Sequence, residues 1–348
     1  MGPNASGKST FLDVIHFASD FVQDGLDAAI QRRSPTFQDL LWGRRGSTFR
    51  FSLELTTPPG VLLYTVAVAL DEQAGHVEFQ DESATLVSEE APLRPVMTRS
   101  GTHAHYFSED GQKQLVWGQS RNQSSLNTVL SDELFPAMAS LRDLLAEGIR
   151  VIDLDPRALT APSPPERGND FVNIGASLAW QVWRLQDKPP EAMEAWTSHV
   201  RTALPDVCKI ESVLQQWDNR RFVRIQYENG VQVPAWILSE GTLRLLALTI
   251  LAYLPDFRGL YLIEEPENGV HPAALETIYQ SLSSVYNAQV LVATHSPVLL
   301  SMARPEQILC FSKTREGTTI IRGSEHPALK EWQGEVSLGT MVASGILS

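Results

Sequence analysis

Four short runs of residues in this chain have the types and spacing to act on a phosphorylated ligand. Gly2-Pro3-Asn4-Ala5-Ser6-Gly7-Lys8-Ser9 fits the pattern GxxxxGK[ST]. Its glycines let the backbone curl until successive N–H groups face phosphate oxygens; Lys8 can reach the β and γ oxygens, and the Ser9 hydroxyl can ligate Mg²⁺. The phosphate-binding set is therefore Gly2, Asn4, Ala5, Ser6, Gly7, Lys8, Ser9 and Thr10, with the positive end of the following helix aimed at the same place. Met1 to Ser6 also satisfies the myristoylation pattern M-G-x-x-x-[ST], but the phosphate loop already accounts for those residues.

The second run is Leu260-Tyr261-Leu262-Ile263 followed by Glu264 and Glu265. An apolar strand that ends in two adjacent acids sets one carboxylate near a metal and the next where it orients or deprotonates an attacking water, roles that suit Glu264 and Glu265 respectively. The third, Leu291-Val292-Ala293-Thr294-His295-Ser296, is again an apolar strand with a polar end, where His295 can hydrogen-bond a γ-phosphate or the water. An acid pair or a single histidine alone reads as structural; the phosphate loop elsewhere tips both towards function. The fourth, Ser239-Glu240-Gly241-Thr242, precedes an apolar helix. Ser239 reads as its N-cap, yet the third helical position is not acidic, so capping explains only part of the run. A glycine at a helix N-terminus is a further phosphate-binding surface.

These residues need elements to hold them. Phe11, Val14, Ile15, Ala18 and Val22 share one helical face, so Ser9 to about Ile30 is expected as one helix behind the phosphate loop. Thr48–Leu55 and Val61–Leu70 alternate as strands around Thr57-Pro58-Pro59-Gly60, and shorter strands continue to about Val116. Helical patterns run from Ser124 to Gly148 and from about Phe171 to Leu204, broken at Lys188-Pro189-Pro190; Ala161 to Pro165 between them is a loop. Arg221–Tyr227 and Val231–Pro234 read as a hairpin, with Asn229-Gly230 supplying the positive φ angles of a two-residue turn. Leu243 to Leu254 is an apolar helix. Gly259–Ile263 and Val290–Ala293 are short apolar strands of a parallel sheet buried on both faces, and Gln307–Ser312 and Thr318–Arg322 form a last strand pair. The expected segmentation is 1–123 (phosphate loop and antiparallel strands), 124–206 (an inserted, mainly helical lobe) and 207–348 (the remaining motifs).

Composition removes whole classes. The chain has 348 residues, 28 basic against 41 acidic for a net charge of −13, with 43% apolar and 20% charged residues. That supports a large core and excludes a disordered tail or long coiled coil. No apolar run approaches the roughly 18 to 20 residues of a membrane span, and the start lacks a signal-peptide profile, so a soluble, cytoplasmic protein with no membrane partner is expected. Cys208 and Cys310 are the two cysteines, too few for a disulfide framework or a cysteine zinc site, and both are expected as core thiols. The acidic balance argues against coating nucleic acid. Arg32-Arg33, Arg44-Arg45 and Arg220-Arg221 with Arg224 are local basic clusters, expected as solvated faces.

Taken in order, the four motifs resemble the ABC-type ATPase heads of the RecF/SMC/OLD group, and within it the compact AAA-family ATPases often found in bacterial anti-phage defence loci. The resemblance covers residues 1–60 and 220–348. It implies an α/β P-loop NTPase fold, with a mainly parallel central sheet, an antiparallel β subdomain and an inserted helical lobe. It implies ATP and Mg²⁺ as cofactors and ATP hydrolysis as the activity. Lys8 and Ser9 would bind nucleotide and metal, Glu264 would support the metal, Glu265 would be the catalytic base, and His295 the switch histidine. Ser239, Glu240 and Gly241 would contact the γ-phosphate of ATP held by a second subunit, giving a head-to-tail homodimer with ATP sandwiched between the copies. Glu267, Asn268 and His271 would lie near that interface. DNA or RNA, and an effector protein encoded nearby, are the further partners the resemblance implies.

Three features depart from the family pattern. The first acid of the pair is Glu264 rather than Asp, and the glutamine of the metal-sensing loop has only Gln38 as a candidate. The phosphate loop also starts at residue 2, whereas in this fold a central strand feeds it. An N-terminally truncated version of a longer protein is therefore expected, with a vacant sheet position beside the strand that carries Glu264. Other readings remain open. One is a nucleotide-gated scaffold with little turnover that controls a separate effector. A transporter ATPase is opposed by the long insert and by Glu264-Glu265-Pro266-Glu267-Asn268-Gly269-Val270-His271 after the strand. A coiled-coil tether is opposed by Pro162, Pro164, Pro165, Pro189 and Pro190, and too little chain follows His295 to encode a nuclease.

Overall fold

The glycine-rich turn at Gly2–Gly7 leads straight into helix α1 (Lys8–Asp24), whose first capping bond is donated by the Phe11 amide to the Gly7 carbonyl. The structure is a computed structural model that describes residues 1–57, 60–87, 93–108, 114–128, 132–165, 174–254, 257–314, 317–330 and 337–344. Pro58, Pro59 and the helix start expected at Phe171 lie outside them. The chain divides into two compact units, Asp13–Ile149 and Met1–Leu12 with Arg150–Ser348.

In the unit Asp13–Ile149, α1 ends at Asp24 and not near Ile30. Gly25 takes φ 87°, a conformation closed to most side chains, and the short helix α2 (Leu26–Gln31) starts after it. Strands β1 (Thr48–Thr57), β2 (Gly60–Asp71), β3 (His76–Val87), β4 (Arg94–Ser100), β5 (His103–Phe107) and β6 (Gln114–Gly118) form one antiparallel sheet in chain order. Its apolar face buries Leu62, Tyr64, Val66, Phe79 and Met97 against Phe17, Phe21 and Val22 of α1. Each such side chain contributes about 1.5–3 kcal/mol on leaving water. The stretch expected as a helix from Ser124 is a 3-10 turn, Ser125–Thr128, followed by helix α3 (Pro136–Glu147). Pro136 begins that helix because a first-turn proline has no amide to satisfy.

In the other unit, β7 (Ile149–Ile152), helix α4 (Pro156–Thr160), helix α5 (Ile174–Gln186) and helix α6 (Pro190–Arg201) precede the antiparallel strands β8 (Val207–Leu214), β9 (Arg221–Tyr227) and β10 (Gln232–Pro234). The helices read from 124–206 are thus divided between the two units. The hairpin of β9 and β10 forms as expected, but its turn differs. The Gly230 amide donates to Tyr227 O and the Tyr227 amide to Val231 O, enclosing three loop residues with Gly230 at φ 82°. That arrangement needs only one positive φ, and glycine supplies it.

Helix α7 (Glu240–Thr249) leads to β11 (Gly259–Glu264), helix α8 (Pro272–Ser283), β12 (Ala288–Ala293), helix α9 (Pro297–Met302), and the hairpin β13 (Leu309–Lys313) with β14 (Thr318–Arg322). β11 and β12 pair in parallel, Gly259 opposite Ala288 and Glu264 opposite Ala293. The sheet order is β12-β11-β7. The Glu264 strand therefore has a neighbour on both sides, and the vacant position expected beside it does not exist. β11 is buried along Leu260–Ile263, whereas β12 is only half-buried, contrary to the expectation of two covered faces. β12 is the edge strand, and Val290 and Val292 line an apolar cleft of about 300 Å³ shared with Met1, Phe11, Leu309 and Phe311. Cys310 is buried but Cys208 is exposed, so one of the two is not a core thiol. The core here runs from Trp196 and Val200 through Leu243–Leu251 to Tyr261, Ile263 and Ile278.

Candidate functional site

The parallel pairing of β11 and β12 puts Glu264 and His295 at neighbouring strand ends, and the phosphate loop closes over them. Asn4, Ala5, Ser6, Gly7, Lys8, Ser9 and Thr10 line one wall of a cleft of about 220 Å³, with Glu264, Glu265, Ala293 and His295 on the other. The loop backbone is shaped for this: Ala5 is held at φ 58° and Gly7 at φ 92°. A side chain on Gly7 would press on Thr318 at 3.0 Å, and Thr318 Oγ1 donates to Ser6 O at 3.0 Å. β14 thus braces the loop from behind. Gly2 lies outside the cleft lining. A Cβ there would stand 2.3 Å from Phe311 O, so glycine is required by close backbone approach.

The charged groups face one another across the cleft. Lys8 Nζ donates to Gly2 O and Pro3 O, both at 2.9 Å. Burial pulls the Lys8 ammonium below its ordinary pKa, opposed by the carboxylates of Glu265, Glu264 and Glu267. Ser9 Oγ donates to Glu264 Oε2 at 2.9 Å across 255 residues of chain. Glu265 stands at φ 45° with its amide donating to Ala293 O. Its Oε2 accepts from Asn268 Nδ2 at 2.5 Å, and its Oε1 lies 4.0 Å from His295 Nε2. Ser6 Oγ is buried with no hydrogen-bond partner among the described residues.

A hard cation fits this donor set. Mg²⁺ takes six oxygens, keeps several waters, and is usually held by one or two protein groups together with substrate phosphates. Ser9 and Glu264 are two such groups. Among the described residues there is no cluster of three or more His, Cys, Asp or Glu that would form an all-protein metal cage.

Ser239, Glu240 and Gly241 are not among the cleft-lining residues. Ser239 caps α7, its Oγ accepting from the Thr242 amide at 3.1 Å. Gly241 packs so closely on the Gly269 carbonyl that a Cβ would lie 2.5 Å from it, and Glu240 binds Arg244 at 2.8 Å. His271 caps α8, with Nδ1 accepting from the Ala273 amide. Gln38 is an exposed residue of the 3-10 turn Phe37–Leu40. Most arginines of the basic clusters pair locally: Arg32 with Asp20 and Asp24, Arg33 with Asp13 and Asp20, Arg44 with Asp39, Arg220 with Asp218, and Arg224 with Glu211. Arg221 lies over the rings of Trp180 and Trp183. Sequence reasoning missed Thr318, Asn268 as a partner of Glu265, and the contacts of Glu267, because each acts through a residue distant in the chain or through side-chain orientation.

A parallel strand pair ending in acid and histidine, beneath a glycine loop at a helix N-terminus, defines a P-loop NTPase of the AAA and ABC-type ATPase class. The chain belongs to the family described as "AAA domain, putative AbiEii toxin, Type IV TA system", whose model matches residues 1–301. Protein ea59 of Escherichia phage lambda is 29% identical over 110 residues, which is 31% of this chain and 21% of that protein. The match thus spans about a fifth of the relative's length. Two solved structures are similar at low identity. The Smc head bound to the C-winged helix domain of ScpA gives a TM-score of 0.49 at 15% identity, covering 92% of this chain and 87% of that one. The Smc head with an extended coiled coil, bound to the C-terminal domain of ScpA from Pyrococcus furiosus, gives 0.45 at 14% identity over 92% and 88%. Among the described residues no helix is long and apolar enough to cross a membrane.

Proposed function

We propose that this chain binds ATP with Mg²⁺, hydrolyses it, and closes as a pair of copies around the nucleotide, using that cycle to control a defence or nucleic-acid-linked process through a partner. The observation that carries the reading is the 2.9 Å bond between Ser9 Oγ and Glu264 Oε2, which joins the phosphate loop to the acidic strand end where a phosphate-bound metal would lie. Lys8 now satisfies its ammonium on the Gly2 and Pro3 carbonyls; phosphate oxygens entering the loop would take over that role. Mg²⁺, when bound, supplies charge neutralisation on the β- and γ-phosphates. Glu265, in the cleft but not bonded to Ser9, takes the proton of the attacking water, and His295 across from it orients that water or the γ-phosphate.

The exposed N-terminus of α7 supports pairing. Ser239, Glu240 and Gly241 stand outside their own chain's cleft, so a second copy is the natural owner of the phosphate they would contact. A family description that mentions a toxin–antitoxin system supports control of a separate effector. The locally paired arginines add no support for DNA or RNA contact, and that part of the reading rests on the resemblance alone.

The test is Glu265→Gln. Hydrolysis should fall by about 10²–10⁴-fold, while ATP binding persists and light scattering shows a dimer only with ATP. Undiminished hydrolysis would remove Glu265 from the role of base. Wild-type protein that binds ATP but shows no measurable hydrolysis would identify a nucleotide-gated scaffold instead.

A further inference from the structure

Glu267 lies two residues past the proposed base, in the turn closed by the Asn268 amide donating to Glu265 O at 3.0 Å. Glu267 is not among the residues lining the phosphate cleft, and its carboxylate bonds to the end of β12. Oε1 accepts twice, from Thr294 Oγ1 at 2.6 Å and from the His295 amide at 2.9 Å. Oε2 is buried with no hydrogen-bond partner among the described residues. Burying a carboxylate oxygen without a partner costs free energy, so stability alone is a poor reason to place an acid here. The Thr294 hydroxyl that donates to Glu267 also accepts from the Ser296 amide at 2.9 Å, and Ser296 caps α9. One carboxylate oxygen therefore fastens the whole turn from β12 to α9 onto the loop that follows β11.

We infer that Glu267 is a positioning residue, which clamps the His295 turn to the Glu265 turn and so fixes the histidine at its 4.0 Å approach to the base. The inference rests on the hydrolysis reading for its consequence, and on the geometry alone for the clamp. Asn268 completes the arrangement from the other side by holding Glu265 Oε2. The two turns then move as one body, and a shift of His295 would displace the orienting group from the base. A misplacement of about 1 Å in such a constellation costs on the order of 10²-fold in rate.

Three substitutions test it, read by turnover with nucleotide affinity and by amide hydrogen exchange. Glu267→Gln keeps an oxygen able to accept both bonds, and should retain kcat within about threefold. Glu267→Ala should lower kcat by about 10- to 100-fold with the Kd for a fluorescent ATP analogue nearly unchanged. Thr294→Val, which removes one donor without touching the acid, should give a smaller loss, and adding it to Glu267→Ala should cost little more. Amide hydrogen exchange at His295 is the second readout and requires no turnover. It should accelerate in Glu267→Ala and stay slow in Glu267→Gln. Equal His295 exchange in wild type and Glu267→Ala, or full kcat in both Glu267→Ala and Thr294→Val, would overturn the clamp. A wild-type chain that hydrolyses no ATP, yet whose His295 amide is released by Glu267→Ala, supports the clamp and counts against the hydrolysis reading.

Discussion

Glu265 combines a reactive group with an uncommon backbone. At φ 45° it occupies the left-handed region, where a residue with a side chain costs of order 1–3 kcal/mol and persists only when its surroundings hold it. The bonds to Ala293 O and from Asn268 do so. His199 is a second residue whose surroundings set its behaviour. Its Nδ1 lies 3.1 Å from Tyr253 Oη and 3.2 Å from Ser281 Oγ, and burial lowers its pKa below 6.5, with a bond to the Thr277 backbone opposing. Below pH 6.5 the unfolded chain takes up a proton that the folded one resists, so this contribution is present above 6.5 and lost as the pH falls through the folded value. Melting curves from pH 7.5 to 5 should therefore slope less in His199→Gln than in wild type over that window. Parallel curves would show that His199 titrates alike in both states.

At the scale of elements, the four motifs were legible because each is a local pattern: a glycine loop before a helix, or an apolar strand with a polar end. Ser239 as the cap of α7 and the pairing of β13 with β14 were legible for the same reason. The break at Gly25 and the single positive φ at Gly230 were not, since periodicity continues through the first and two turn types share the Asn-Gly signal. Contacts between elements were also hidden. Nothing near Gly241 in the chain shows that it packs on Gly269, whose own φ is 69°. Gly241→Ala would put a methyl group 2.5 Å from a carbonyl oxygen, and should destabilise the fold by about 1–3 kcal/mol. It should also weaken ATP-dependent pairing more than ATP binding, because the displaced turn lies outside its own cleft. Wild-type melting and wild-type dimerisation in this variant would contradict the close packing.

At the scale of the whole molecule, ligand and fold are linked. A nucleotide that binds only the folded chain stabilises it by about 2.7 kcal/mol at 100 times its Kd. ATP with Mg²⁺ should therefore raise the melting temperature of wild type and leave Lys8→Ala unmoved, a thermal-shift measurement that needs no catalysis. A shift of equal size in Lys8→Ala would place the nucleotide elsewhere. The sequence by itself supplied the local motifs and the order in which they come, and with them the residues proposed to hold phosphate, metal and water. The vacant position expected beside the Glu264 strand was misplaced because strand order is a choice among distant partners that local pattern does not encode. Tertiary structure seated β11 between β7 and β12 and left β12 at the edge of the sheet. It alone brought Ser9 to Glu264 across 255 residues and Glu267 to His295 across 28. Hydrogen bonds act over about 3 Å, so their partners are set by where the chain returns, not by what stands next to each residue.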